Sequence, residues 1–413
     1  MQQQYLIALF SIIVLGFLVD QVLDYLNSRN RPKLLPSNLK EFYSDEEYRK
    51  SLAYKREHRR VSNIGSWLSF ILTLGFLLNG GFGWLNMTLE VFELRGEWLS
   101  LVYFGVLFIF SDLFGMPLSI YSTFVVEEKY GFNKTTLKTF LLDKLKSYLL
   151  AIVLGGALLY AVLYIVIHLG SDFWIYAWLL MVGVMLFMNF FYTTLFLPLF
   201  NKLSPLEEGE LKTAIIALSE KVDFPLSKIY VMNASKRSTK SNAFFSGFGK
   251  LKSIVLFDTL IEKHSINELM GILAHEVGHY KKKHVITNML TAILSNGIML
   301  FVLSWFIFSE DLSRAMGADG LYYHLNIIAF GILFGPINLI LGLLGNIFSR
   351  KHEYEADAFA IQHADKASFE NALKKLSTEN LSDLQPHPAY VFVHYSHPPL
   401  LQRLKAIADH GRG

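Results

Sequence analysis

The sequence predicts a mainly α-helical polytopic membrane protein with seven transmembrane helices and a small cytoplasmic α+β region that contains a β-hairpin. Hydrophobic residues make up 52% and charged residues only 18% of the 413 residues, which is too apolar for an ordinary soluble protein. Seven apolar runs are each long enough to cross ~30 Å of hydrocarbon. Lysine and arginine are concentrated in alternate connecting segments, as expected for a chain that crosses a membrane repeatedly.

The charge and the cysteine content exclude several kinds of partner. The net charge of +3 gives no case for a nucleic-acid partner. The apolar composition makes the lipid bilayer the predicted surroundings of the chain. The sequence contains no cysteine, which removes disulfides and thiolate metal sites. Any metal must therefore be held by histidine and carboxylate side chains.

Residues 1–200 form a predicted membrane region with five spans. The first, residues 5–26, lacks a basic region before it and a small-residue cleavage site, so it is interpreted as a retained membrane helix rather than a signal peptide. The other four predicted spans are 61–78, 99–124, 147–168 and 173–200.

Residues 201–284 look soluble and predict an α+β segment. The pattern predicts a helix over 207–222, a strand over 228–232, and a hairpin formed by 242–249 and 253–257 and closed by Gly-Lys-Leu-Lys. One of these strands could accept an extended peptide on its free edge, but a purely structural hairpin fits the pattern at least as well.

Two further spans, 285–308 and 323–348, precede a polar tail over 349–413. The segments rich in Lys and Arg are 27–60, 125–146, 201–284 and 349–413, whereas the alternate loops have one basic residue or none. The positive-inside rule therefore predicts an external amino terminus and places 201–284 and the tail together on the cytoplasmic side.

The strongest chemical signal is AHEVGH at positions 274–279. His275 and His279 are four residues apart, so on a helix they lie on nearly the same face and can reach one Zn²⁺. Glu276 lies beside them, where it can take a proton from the attacking water. The alternative is a surface helix with two solvated histidines.

A catalytic zinc usually has three protein ligands, and the tail supplies a candidate for the third. In the EYEAD stretch at 353–357, Glu353 and Asp357 share a helical face, whereas Glu355 points elsewhere. We assign Glu353 as the third ligand and Asp357 as the acceptor for the free ring N–H of a ligating histidine. His352 is a weaker competing ligand, and a solvated acidic helix face is the alternative for the carboxylates.

Further along the tail, His397 precedes two prolines and Arg403 follows in the stretch YSHPPLLQRL. Both side chains could donate hydrogen bonds to the oxyanion of a tetrahedral intermediate. A histidine in a proline-rich turn is, however, more often only a turn residue.

These motifs, together with NAFFSGFG at 242–249 and EEKYGFN at 127–133, resemble the type I CAAX prenyl endopeptidases, and the resemblance covers most of the chain. Members of that family are seven-span integral-membrane zinc metalloproteases of the gluzincin kind. The resemblance implies seven helices enclosing a water-filled chamber and one Zn²⁺ per chain, held by His275, His279 and Glu353. It also implies that Asn242 positions the substrate, and that His397 and Arg403 stabilise the oxyanion or bind the substrate backbone.

The resemblance further implies a protein or peptide substrate, cut near a prenylated CAAX carboxyl terminus or in a related sequence. The chain looks shorter than eukaryotic members and its carboxyl end lacks a dilysine-type signal, which predicts a bacterial cytoplasmic-membrane homologue, or the endoplasmic reticulum membrane if eukaryotic. Two alternatives stay open, namely a quality-control protease of membrane or translocation-stalled proteins and a transporter or scaffold with a structural metal. The transporter alternative is based on polar residues inside the spans: Asp112, Asn288, Asn296, Asn338 and Asn346.

Overall fold

Helices dominate the first 200 residues of the computed structural model, which describes residues 1–30, 35, 39–247 and 252–410. The helices of this half are α1 (Gln2–Arg29), α2 (Asp45–Leu78), α3 (Gly81–Glu90), α4 (Gly96–Tyr121), α5 (Leu137–Leu150), α6 (Gly156–Leu169), α7 (Phe173–Phe191) and α8 (Leu197–Phe200). Three π-helical stretches continue them without a break, at Ser122–Glu127, Ala151–Gly155 and Tyr192–Phe196.

The second half mixes helices with a four-stranded sheet. Its strands are β1 (Leu203–Pro205), β2 (Leu226–Met232), β3 (Ala243–Ser246) and β4 (Lys252–Phe257). Its helices are α9 (Glu210–Lys221), α10 (Asp258–Lys263), α11 (Ile266–Lys281), α12 (His284–Ser304), α13 (Glu310–Ala315), α14 (Tyr323–Leu333), α15 (Gly335–His363), α16 (Lys366–Glu379), α17 (Pro388–His394) and α18 (Leu400–His410). The predicted polar tail is thus largely helical.

Within the described residues, 5 helical segments are long and apolar enough to cross a membrane, or 6 if one bent pair counts as a single span. They are Gln2–Arg29, Asp45–Leu78, Gly96–Glu127, Leu137–Phe200 and His284–Ser304, and the bent pair is Tyr323–Leu333 with Gly335–His363. This count does not confirm the predicted seven spans. The difference lies in the 64 residues of Leu137–Phe200, where the sequence predicts two spans.

A turn interrupts that long segment at Gly170–Asp172, where Gly170 has a φ of 59°. Helices α6 and α7 pack against each other on either side of the turn, and Val166 and Phe173 are both buried in one cluster. The second break separates α14 from α15 by 52°. Pro336, in the first turn of α15, has no N–H to continue the preceding helix, which accounts for the bend.

The sheet has the strand order β1-β2-β4-β3, so β3 is an edge strand that pairs with β4 alone in the described chain. β3 and β4 are antiparallel, which confirms the strands of the predicted hairpin, although most of its turn lies outside the described residues. β2 and β4 are parallel, a pairing that the sequence pattern did not predict. The predicted helix over 207–222 and strand over 228–232 are confirmed as α9 and as part of β2.

The core of the second half lies around α11. This helix is packed between α9, the sheet, α15 and α16. The fully or nearly fully buried side chains of this core come from all of these elements and from α18: Ile215, Ile254, Leu256, Leu269, Leu273, Val277, Ala360, Phe369 and Ile407. Packing against these elements fixes the axis of α11, and with it the direction in which its polar face points.

Candidate active site

Helix α11 presents His275 and His279 to the same point. Ser265 and Glu268 form a capping box at its start, in which each side chain bonds to the backbone of the other residue. The apolar residues of the helix are buried in the core, and the face with both histidines lines a cavity. The Nε2 atoms of the two rings lie 3.2 Å apart, which confirms the geometry expected from their spacing.

Helix α15 brings Glu353 to the two histidines from 74 or more residues further along the chain. The two helices approach closely because residue 278 is glycine, where a Cβ atom would lie 3.1 Å from the Cα atom of Ala356. The Glu353 Oε1 atom lies 3.3 Å from His279 Nε2, and its Oε2 atom lies 3.6 Å from His275 Nε2. The structure therefore brings the three predicted ligands together.

These three side chains fit a divalent metal ion. Their ligand atoms all lie within 4.8 Å of one another. Two donors at tetrahedral angles and bond lengths of about 2.0–2.1 Å are ~3.3 Å apart, close to the distances seen here. Glu353 is only 3% exposed, and its Oε2 atom has no hydrogen-bond partner. A buried carboxylate oxygen without a partner is costly, and a bound cation would satisfy it.

Asp357 holds the ring of His275 from the side opposite the ligand group. Its Oδ1 atom lies 2.8 Å from His275 Nδ1. Because a carboxylate can only accept, Nδ1 carries the proton and the Nε2 lone pair faces the ligand group. This contact is the one that the sequence predicted for Asp357.

Arg403, on α18, contacts both acidic residues of α15. Its Nε donates to Asp357 Oδ2 at 2.8 Å, and its Nη1 lies 3.6 Å from Glu353 Oε2. Burial opposes the charge of Arg403, but the two carboxylates outweigh this cost and raise the pKa of the guanidinium above its usual range. Arg403 thus compensates the negative charge of the site, in addition to any contact with substrate.

His397 lies at the rim of the same group. Its Nδ1 atom is 2.9 Å from Glu353 Oε1, and 69% of its side chain is exposed. The hydrogen bond with the Glu353 carboxylate raises the pKa of His397 above the ordinary value, and it outweighs the partial loss of water around the ring, which acts in the opposite direction. An exposed ring that can carry a proton next to the ligands is available to an incoming substrate.

Glu276 projects into the cavity beside the ligands. Burial is the main cause that raises the pKa of its carboxyl above the ordinary value, while the neighbouring imidazoles of His275 and His279 act against the rise. A carboxyl with a raised pKa is suited to exchange protons near neutral pH.

Asn242 stands immediately before the edge strand β3. Its Oδ1 atom accepts a hydrogen bond of 2.9 Å from the Ala243 N–H, and its carbonyl accepts one of 3.1 Å from the Phe257 N–H. Asn242 and β3 line the same cavity as the ligand group. The free edge of a strand is therefore available beside the candidate metal site.

The cavity has a volume of ~1250 Å³ and extends from the ligand group to the membrane helices. One wall is apolar and is formed by Val184, Met185 and Met188 of α7. It is a cleft between residues 201–284 and the membrane helices, and it does not confirm the predicted chamber enclosed by seven helices.

Sequence reasoning missed the role of His284 and Glu355. His284 Nδ1 lies 3.0 Å from His279 Nδ1, and its Nε2 atom lies 2.9 Å from Glu355 Oε2. His352, the predicted competing ligand, stacks on His284 and is not part of the ligand group. Spacing gave no signal for this contact, because it depends on a turn between two helices.

These features together define the class of the protein, an integral-membrane metalloendopeptidase. The comparisons with known proteins agree. Residues 24–202 match the family model "CAAX prenyl protease N-terminal, five membrane helices", and residues 205–410 match peptidase family M48.

The chain belongs to the CAAX prenyl protease 1 family, and it is a multi-pass membrane protein. It is 36% identical to the probable CAAX prenyl protease 1 of Schizosaccharomyces pombe, over 96% of this chain and 88% of that protein. It is 34% identical to CAAX prenyl protease 1 of Saccharomyces cerevisiae, over 96% and 95% of the two chains. The crystal structure of S. mikatae Ste24p superimposes with a TM-score of 0.91 at 32% identity, over 98% of this chain and 99% of that one.

These comparisons confirm the resemblance seen in the motifs, but they do not support the predicted bacterial origin. The relatives named above are eukaryotic, and this chain spans 88% and 95% of the lengths of the two fungal proteases. The premise that the chain is shorter than eukaryotic members therefore gives no argument for a bacterial source.

Proposed function

We propose that this protein is a zinc endopeptidase that cleaves prenylated CAAX-type carboxyl termini of proteins, with its site on the cytoplasmic face of the membrane. The observation that carries the proposal is the buried group of His275, His279 and Glu353, which lies in one cavity with Glu276 and the free edge of β3. Zinc is the proposed metal, because two imidazoles and one carboxylate form a common catalytic zinc site and leave a position open.

Each predicted residue has a proposed role in peptide hydrolysis. Zn²⁺ would lower the pKa of a water molecule and polarise the scissile carbonyl. Glu276 takes the proton of the attacking water and passes it to the leaving amine. His397 and Arg403 donate hydrogen bonds to the developing oxyanion, and Asn242 holds the substrate backbone.

The substrate proposal rests on the relatives and on the shape of the cavity. The relatives are named CAAX prenyl proteases. Val184, Met185 and Met188 of α7 give an apolar surface to the cavity that also contains the ligand group, which suits a peptide that carries a lipid. The edge of β3 suits the extended peptide itself.

We also propose seven spans that surround a hydrated interior. A straight helix of 64 residues would be about 95 Å long, roughly three hydrocarbon thicknesses, so the break at Gly170–Asp172 divides Leu137–Phe200 into two crossings. In the most apolar 18 residues of each of the five single segments, only 6% to 17% of residues are buried inside the protein, which fits helices that face lipid on one side and water on the other. We propose that the chain divides by function at residues 200, 284 and 348. The division at 348 is not a break in the secondary structure, because α15 continues through it as one helix.

The test uses purified protein in detergent with a farnesylated CAAX peptide and the same peptide without the lipid. We expect cleavage of the farnesylated peptide that a chelator abolishes and Zn²⁺ restores. Glu276→Gln should bind zinc and melt as the wild type does, yet cleave at least about 1,000-fold more slowly, since a general base contributes up to ~10⁴-fold.

Different outcomes would contradict different parts of the proposal. Full activity of Glu276→Gln, or cleavage that persists in the chelator, would contradict the mechanism. Equal cleavage of both peptides would contradict the prenylated substrate and favour a quality-control protease of broad specificity.

A further inference from the structure

His284 lies between a proposed zinc ligand and a carboxylate. Its Nδ1 atom is 3.0 Å from His279 Nδ1, and its Nε2 atom is 2.9 Å from Glu355 Oε2. The side chain of His284 is only 3% exposed, whereas that of Glu355 is 38% exposed. The contacts form a single line from the surface carboxylate, through a buried imidazole, to the ring of His279.

The turn between α11 and α12 places His284 in this position. Lys283 adopts a left-handed conformation with a φ of 61°, which is uncommon for a residue other than glycine. The N–H of Lys282 bonds to the Gly278 carbonyl at 3.0 Å, and that of Thr287 bonds to the Lys283 carbonyl at 3.0 Å, so both sides of the turn are fixed. Through this turn the first side chain of α12, His284, contacts His279 of α11.

The plane of the His284 ring is fixed as well. His352 stacks on it with a centroid distance of 4.0 Å and an angle of 11° between the rings. His352 belongs to α15, the same helix as Glu355 and Glu353. One helix therefore supplies the stacking partner, the hydrogen-bond acceptor and a metal ligand.

The carboxylate of Glu355, at the end of this line of contacts, determines which nitrogen of each imidazole carries the proton. A carboxylate only accepts, so Nε2 of His284 donates to Glu355. In the neutral ring Nδ1 is then an acceptor, and the His279 Nδ1 must donate to it. His279 consequently presents a bare Nε2 lone pair to the ligand group, which is the form that binds a metal.

The same result is reached for His275 by a shorter route, through the direct contact of its Nδ1 with Asp357. The three acidic residues of the EYEAD stretch thus make three different contacts with the site. Glu353 is a ligand, Asp357 holds one histidine, and Glu355 points to the other side of the helix and holds the second histidine through His284.

We propose that His284, held by Glu355, is a positioning residue that fixes the tautomer and the orientation of His279 for zinc. The inference rests on the proposed zinc site. Partners of this kind behind a ligand typically change metal affinity or activity by about 10- to 100-fold.

The experiment measures zinc affinity directly. Metal-free full-length protein in detergent is titrated with Zn²⁺ in competition with a chromophoric chelator. His284→Phe keeps a ring that can stack on His352 but removes both nitrogens, and we expect its Kd for zinc to rise by about 10- to 100-fold. The matched control is His363→Phe, because His363 is a half-buried histidine of α15 that stacks on Phe359 away from the site. Its Kd should equal that of the wild type.

Conservative variants separate positioning from a merely structural role. His284→Gln has one acceptor and one donor, so it should recover part of the lost affinity. Glu355→Gln keeps an acceptor oxygen and should lose less affinity than Glu355→Leu. The absorption bands of the Co²⁺-substituted protein should shift in His284→Phe and return towards the wild type in His284→Gln, since these bands report ligand geometry.

The outcomes distinguish this inference from the proposal beneath it. If the wild type binds no zinc, or if His279→Ala binds zinc as the wild type does, the zinc site itself is wrong. If those two results are as expected and His284→Phe has the wild-type Kd and Co²⁺ spectrum, the positioning role is overturned. Should His284→Phe fail to fold, equal Kd values for Glu355→Leu and the wild type would overturn the role instead.

Discussion

At the scale of single residues, Arg403 balances the acidic side chains of the site. Its guanidinium contacts Asp357 through Nε and lies near Glu353, and these carboxylates are 2% and 3% exposed. The positive charge is needed because two carboxylates in a dry environment are costly unless each is paired. The same two carboxylates stabilise the charged guanidinium, and they raise the pKa of Arg403 above its usual range although burial opposes the charge.

Removing that cation should destabilise the protein strongly. Arg403→Met leaves the Asp357 carboxylate without its cationic partner and with only the His275 N–H, and we expect the free energy of unfolding to fall by about 3–5 kcal/mol. Arg403→Lys keeps the charge but cannot donate two parallel hydrogen bonds, so its loss should be smaller. The measurement is unfolding of the metal-free protein in detergent, followed by tryptophan fluorescence.

A matched control uses an exposed ion pair. Arg314 pairs with Glu310, and their side chains are 47% and 52% exposed, so Arg314→Met should change stability by no more than ~1 kcal/mol. An unfolding free energy of Arg403→Met equal to that of Arg314→Met would show that Arg403 does not have this role.

At the scale of elements, the start of α11 determines where the histidines lie. Glu268 accepts a hydrogen bond of 2.8 Å from the Ser265 N–H and one of 3.1 Å from Lys375 of α16. Burial raises the pKa of Glu268, but these two donors outweigh it and the net pKa is lower than the ordinary value of 4.5. The carboxylate therefore ties α11 to α16 in its charged form.

A lowered pKa in the folded state makes stability depend on pH in a defined direction. The contribution of Glu268 is present above pH 4.5 and is lost as the pH falls through the lower folded-state pKa. Glu268→Gln should therefore be less stable than the wild type at pH 7, by ~1 kcal/mol, and the difference should shrink below pH 4.5. Melting temperatures in detergent across this range provide the measurement. The exposed residue Glu262 serves as the control, since Glu262→Gln should melt as the wild type does at every pH.

At the scale of the whole molecule, the EEKYGFN stretch joins the membrane helices to the catalytic segment. Its Phe132 carbonyl accepts a hydrogen bond of 3.1 Å from the Thr239 N–H, and the Lys134 N–H donates one of 3.0 Å to the Arg237 carbonyl. Arg237 also reaches Asp143 of α5 with two hydrogen bonds of 2.8 and 2.9 Å. The segment fixed in this way leads directly to Asn242.

The Asp143–Arg237 pair should couple the two halves measurably. It is partly buried and bidentate, so a double-mutant cycle of Asp143→Asn and Arg237→Gln should give a coupling energy of about 1–3 kcal/mol in thermal or chemical unfolding. The surface pair of Glu208 and Lys212, four residues apart at the start of α9, should give ~0.5 kcal/mol or less, because the Glu208 side chain is 87% exposed. Equal coupling in the two cycles would mean that the pair does not join the halves.

The sequence by itself determined the membrane character, the position of most apolar helices, helix α11 and the histidine pair on one face of it. These features depend on local chemistry, since a run of apolar residues needs lipid and an i, i+4 pair on a helix shares a face whatever surrounds it. It also named Glu353 and Asp357 as candidates, because a catalytic zinc site usually has three protein ligands and a ligating histidine usually has a hydrogen-bond acceptor.

Only the tertiary structure decided which side chains form hydrogen bonds with His279 on the side away from the candidate metal site. Residues 279, 284 and 355 meet through a left-handed turn at Lys283 and the close approach of α11 to α15 at Gly278, and neither feature has a periodic signature. The parallel pairing of β2 with β4, which leaves β3 at the edge, is likewise a contact between distant segments. Local patterns specify faces and spans, whereas contacts across long sequence separations depend on how the complete chain packs.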